Sequence, residues 1–122
     1  MKLHQFIASR LITDKIALIT LSNESKRNAL NAKMLQELHT SLNTFSNNPN
    51  VACIILNGAG DTFSIGMDLE ELSGNLPLLH IEETFKSIAK PIIASVNGYA
   101  VNRSLLTRCS LAVDLSLPYC VM

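Results

Sequence analysis

Read from the N-terminus, the chain opens with two short apolar stretches, Phe6 to Ile12 and then Lys15 to Leu21 with Ile16-Ala17-Leu18-Ile19 inside it. Thr13-Asp14 between them predicts a tight turn, so the pair reads as a β-hairpin. A polar loop follows, Asn23-Glu24-Ser25-Lys26-Arg27-Asn28, and beyond it the period changes. Leu35, Leu38, Leu42 and Phe45 recur in steps of three and four, the spacing that lines one face of an α-helix. Asn31 stands just ahead of them, where a side-chain oxygen can accept from the unpaired N–H groups of a helix start. Asn47-Asn48-Pro49-Asn50 stops the helix.

Val51-Ala52-Cys53-Ile54-Ile55-Leu56 is apolar throughout, which predicts a strand covered on both faces and makes Cys53 a core thiol. A glycine-bearing loop runs from Gly58 to Met67. Asp68, with Glu71 three residues later, has the pattern of a capping box and opens a second helix; Asp68, Glu70 and Glu71 then read as acids favoured in a first helical turn. A further helical piece is expected from about residue 80 to 89. Pro91 precedes another apolar strand, Ile92 to Val96, which Asn97-Gly98 closes. Ser104 to Val113 reads as a helix and Leu115 to Leu117 as a short strand before Pro118. The order ββα, βα, βα predicts an α/β fold whose strands run in parallel after the first hairpin.

Composition narrows the function. A length of 122 residues fits one domain, and 48% hydrophobic against 16% charged residues excludes a disordered chain. The formal net charge is zero and neither sign is clustered, so a broad nucleic-acid footprint is not expected. Cys53, Cys109 and Cys120 form no CxxC pair, and His4, His39 and His80 are scattered, which is not the spacing of a zinc site. No apolar run approaches the ~18 residues of a membrane span, and the first residues lack the apolar core of a signal peptide. The expectation is a soluble, cytoplasmic protein without a membrane span.

Three segments, in this order, carry a resemblance. They are Arg27-Asn28-Ala29-Leu30-Asn31 leading into the Met34-Leu35 helix; Val51 to Leu56 running into Gly58-Ala59-Gly60-Asp61-Thr62-Phe63-Ser64-Ile65-Gly66-Met67-Asp68-Leu69; and Lys90-Pro91-Ile92-Ile93-Ala94-Ser95-Val96-Asn97-Gly98-Tyr99-Ala100. Together they resemble the enoyl-CoA hydratase/isomerase (crotonase) family, over almost the whole chain to about Ala100. The resemblance implies the crotonase-like ββα spiral and an acyl-CoA substrate whose thioester carbonyl sits between two backbone N–H donors. Donors of this kind are often the largest catalytic term, one of them being worth about 10²–10³ in rate. The first would be the N–H of Met67, after Gly66 and at a helix start, which leaves unpaired N–H groups facing an anion. Ser64, Ile65 and Asn28-Ala29-Leu30 would line the CoA path, and Lys26 or Arg27 would meet its phosphates. Arg27, Asn28, Ala29, Leu30, Ser64, Ile65, Gly66, Met67 and Asp68 thus make up the implied substrate-binding set. CoA belongs to the substrate, and neither a separate cofactor nor a metal is implied.

The same comparison marks departures. Where the family carries a glycine-rich run, this chain reads Asn102-Arg103-Ser104, with Arg103 at the position of the second donor. Leu106 stands where hydratases carry a catalytic glutamate, and leucine cannot hold or deliver a proton. Family members are longer, and their second carboxylate, C-terminal helices and trimer interface lie beyond the part matched. The expectation is therefore a single partial crotonase-like domain over residues 1–122, equivalent to the N-terminal half, which binds acyl-CoA thioesters but is catalytically impaired. The alternative is a non-catalytic fragment that associates with itself or with full-length relatives. A remoter one arises because Gly58-Ala59-Gly60-Asp61-Thr62-Phe63 resembles the anion-hole signature of ribokinase-type sugar kinases, although no neighbouring segment matches them.

Overall fold

The computed structural model describes residues 6–64, 83–96, 99–100 and 110–113. The hairpin forms where the two apolar stretches and the turn between them predict it. β1 (Ile7–Thr13) pairs antiparallel with β2 (Ile16–Leu21), with a register irregularity between Leu11 and Thr13. At the turn the Lys15 N–H donates to Thr13 Oγ1 at 3.1 Å.

The chain then crosses over through α1 (Ala32–Ser46). Asn31 is its N-cap, and its Oδ1 accepts from the Met34 N–H at 2.8 Å, relieving one of the donors a helix start leaves unpaired. The other end is held from a distance. Lys90 Nζ donates to the carbonyls of Phe45, at 2.8 Å, and Asn48, a cation where the helix dipole is negative.

β3 (Cys53–Gly58), β4 (Thr62–Ser64), a helical segment at 83–87, β5 (Ile92–Val96), β6 (Tyr99–Ala100) and β7 (Ser110–Val113) follow. The main sheet has the order β1-β2-β3-β5-β7, and β4 and β6 form a separate pair. After the hairpin every pairing in the main sheet is parallel, as the order of elements predicts. Parallel neighbours need crossover connections, and α1 supplies the one between β2 and β3.

The core lies between one face of this sheet and α1. Ala17, Ile19, Leu21, Ile54, Leu56, Ile92, Ala94 and Val96 point inward against Met34, Leu35, Leu38, Leu42 and Phe45, and all are buried. The other face carries Ile16, Leu18, Cys53, Ile55 and Ile93, which are only half-buried. On this face Thr20 Oγ1 donates to Asn57 Oδ1 at 2.7 Å. The continuous apolar run at 51–56 therefore does not mean equal burial on both faces, and Cys53 is a half-buried residue of the outer face rather than a core thiol. Side chains alternate along a strand, and α1 packs against one face alone.

One expected element changes type. Residues 110–113 form strand β7, not the end of a helix, with Ser110 to Val113 in register against Ile93 to Val96. A short apolar run is compatible with either state, and the ladder offered by β5 decides for the strand. Of the helix expected at 80–89, residues 83–87 are helical. The helix expected from Asp68 and the strand at 115–117 lie outside the described residues. Among the described residues no helix is long and apolar enough to cross a membrane.

Candidate active site

The site begins with the loop between β2 and α1. A 3-10 turn, Glu24–Lys26, delivers the chain to Arg27 and Asn28, which adopt left-handed conformations at φ 51° and 57°. Such angles are uncommon outside glycine, although asparagine tolerates them better than most. Asn23 and Asn28 close the loop on each other. The Asn28 N–H donates to the Asn23 carbonyl at 2.8 Å, and the Asn23 N–H donates to Asn28 Oδ1 at 2.8 Å. Asn23 Nδ2 adds a bond to the Ala29 carbonyl at 3.2 Å.

A second loop packs against the first. Asn28 Nδ2 reaches the carbonyl oxygens of Ala59, at 3.0 Å, and Thr62, at 2.7 Å. Returning the contact, Ser64 Oγ donates to the Asn28 carbonyl at 2.7 Å. The glycines make this approach sterically feasible. A Cβ at Gly58 would lie 2.5 Å from the Phe63 carbonyl oxygen and 2.6 Å from that of Thr62, so only glycine lets β3 pass so close to β4. Gly60 has φ of 79°, and a Cβ there would lie 3.0 Å from Glu24 Oε2. In the stretch resembling a kinase signature, both glycines thus serve the local fold. The third segment joins through backbone pairing, since β4 runs parallel to β6 with Thr62 opposite Tyr99 and Ser64 opposite Ala100.

Of the implied substrate-binding residues, Arg27 is exposed, as is neighbouring Lys26. Asn28, Ala29, Leu30 and Ser64 are buried. Ile65, Gly66, Met67, Asp68, Arg103 and Leu106 lie outside the described residues. Chemically, the described part offers an internally hydrogen-bonded turn whose exposed charged residues are the cations Lys26 and Arg27 and the carboxylate Glu24, and the two cations suit an anionic group. Asn23, Ala59 and Thr62 were not singled out from sequence. All three accept through backbone carbonyls, which no residue type announces.

A second polar cluster lies away from these loops. His39 on α1 contacts Thr84 Oγ1 through Nδ1, and Nε2 lies 3.0 Å from Asn43 Nδ2. His39, Glu83, Thr84 and Ser87 line an open hollow of about 440 Å³. Nothing in the sequence pairs His39 with Thr84. Among the described residues no group of three or more His, Cys, Asp or Glu is placed to hold a metal ion.

The architecture and the chain both have counterparts. A crystal structure of a probable enoyl-CoA hydratase from Mycobacterium smegmatis superposes with a TM-score of 0.77 at 29% identity, over 88% of this chain and 48% of that one. The mitochondrial enoyl-CoA hydratase domain-containing protein 3 of Danio rerio is 36% identical over 107 residues, covering 78% of this chain and 37% of its own length. The 4-chlorobenzoyl coenzyme A dehalogenase-2 of an Arthrobacter species is 34% identical over 119 residues, or 86% of this chain and 42% of its own. The chain thus spans less than half the length of these relatives. Residues 12–103 match the family model described as enoyl-CoA hydratase/isomerase, a range that contains all three convergent segments, and the chain belongs to that family.

Proposed function

We propose that this chain is an acyl-CoA-binding unit of the hydratase/isomerase type that holds a CoA thioester but does not complete the chemistry unaided. One observation carries the reading. The three segments that resemble the family's ligand-binding elements, separated by dozens of residues in sequence, meet around Asn28, Thr62, Ser64 and the β4–β6 pair. The relatives are named for enoyl-CoA and for 4-chlorobenzoyl-CoA chemistry. The assigned substrate class is therefore the CoA ester they share rather than one acyl group.

In this reading the Met67 N–H serves as the thioester donor, and Lys26 with Arg27 faces the CoA phosphates. The impairment follows from residue identity. Arg103 occupies the place of a glycine donor, and Leu106 that of a carboxylate. A positioned acid or base contributes about 10²–10⁴-fold, so the chain alone lacks most of what hydration requires. Calorimetric titration with CoA, beside a spectrophotometric assay on crotonyl-CoA, tests both halves. Binding without turnover is expected. Robust turnover that disappears in Gly66→Ala would overturn the impairment, and absence of any CoA binding would overturn the assignment of the ligand.

A further inference from the structure

We infer that Asn28 is a positioning residue. It locks the turn bearing Lys26 and Arg27 to the 59–64 loop, so that the two present themselves to ligand as one unit, and it does not itself contact the ligand. The inference rests on the acyl-CoA reading above but changes the part Asn28 plays in it.

The side chain is fully buried, and both amide hydrogens are committed, one to the Ala59 carbonyl and one to that of Thr62. Oδ1 accepts the Asn23 N–H. The orientation of the amide is not arbitrary, because its partners are one backbone donor and two backbone acceptors, and a flipped amide would face each with the wrong atom. The backbone of the same residue takes part as well, since its carbonyl accepts from Ser64 Oγ. Asn28 therefore ties together points 31 to 36 residues away in the chain. Its neighbour Arg27 is exposed and shares the left-handed turn, so the position of the guanidinium-bearing backbone depends on this lock.

Two substitutions separate the lock from the turn. Asn28→Gly keeps the left-handed backbone accessible and deletes every side-chain bond. Asn28→Asp has nearly the same shape and keeps an acceptor for Asn23, but sets a carboxylate oxygen against two carbonyls that need donors. Leu42→Ala is the control. It destabilises the core without touching either loop, so it lowers the melting temperature while leaving the CoA dissociation constant of the folded protein unchanged.

CoA affinity is measured by calorimetry at a temperature where circular dichroism shows all variants folded, and amide exchange is followed across residues 59–64. Both Asn28 variants should bind CoA about tenfold or more weakly, the equivalent of one directed hydrogen bond, and should exchange faster at 59–64 than wild type. Unchanged affinity in both, or loss in Asn28→Gly but not in Asn28→Asp, would overturn the lock. If wild type binds no CoA, the functional reading fails, and exchange at 59–64 still decides the lock: unchanged rates in both variants would refute it.

Discussion

Gly58 shows how much one hydrogen atom in place of a side chain can decide. The backbone of β3 passes so near Thr62 and Phe63 that a methyl group would have to displace main chain. Gly58→Ala should therefore destabilise by about 1–3 kcal/mol, the range for overpacking, measured as a shift in the urea midpoint. Leu38 probes the opposite error. It is completely buried beneath the sheet, and Leu38→Ala should cost about 2–5 kcal/mol through lost burial and the cavity left behind. Equilibrium denaturation of both variants checks the pair. A loss below 1 kcal/mol for Leu38→Ala, well under the usual large-to-small range of about 2–5, would mean that this helix face does not form the core.

At the scale of elements, local signals and long-range ones behave differently. α1 was legible because its cap, its apolar period and its stop are all local; Asn31, Leu35, Leu38, Leu42 and Phe45 take the places that pattern requires. Asn31→Ala is expected to lower stability by about 0.5–2 kcal/mol, read from the thermal midpoint, with the helix still present by circular dichroism. β7 was not legible, because its strand state depends on pairing with β5. β4 and β6 were not separated from their loops either. Each is two or three residues long, and each is a strand only because the other lies beside it. Lys90 is a similar case, being a C-terminal partner for a helix more than 40 residues earlier.

For the whole molecule, the asymmetry of the sheet matters most. Its inner face is buried in one cluster with α1, Leu30, Phe63 and Phe85, while the outer face keeps Ile16, Leu18, Ile55 and Ile93 half-exposed, and Leu11 and Ile12 are exposed near the hairpin tip. Contiguous apolar surface beyond a few hundred Å² usually marks an interface or an aggregation liability. The chain is therefore expected to self-associate, which sedimentation velocity at micromolar concentration tests directly; a single monomer peak across the concentration range would contradict it.

Hydrophobic patterning, together with the Asn31 cap and the Thr13-Asp14 turn, was enough to determine the hairpin, α1, β3, β5 and the parallel α/β class, because each reports a preference satisfied within a few residues. Three collinear segments also pointed to the family. Tertiary structure alone decided which sheet face is buried, which state residues 110–113 adopt and how the segments meet. Those outcomes depend on atoms dozens of residues apart, and several of the atoms are backbone carbonyls common to every residue. Asn28 combines both kinds of information. Its place in Arg27-Asn28-Ala29-Leu30 marks it in the sequence, but its work is done by an amide whose partners, the carbonyls of Ala59 and Thr62, exist as partners only once the chain has folded.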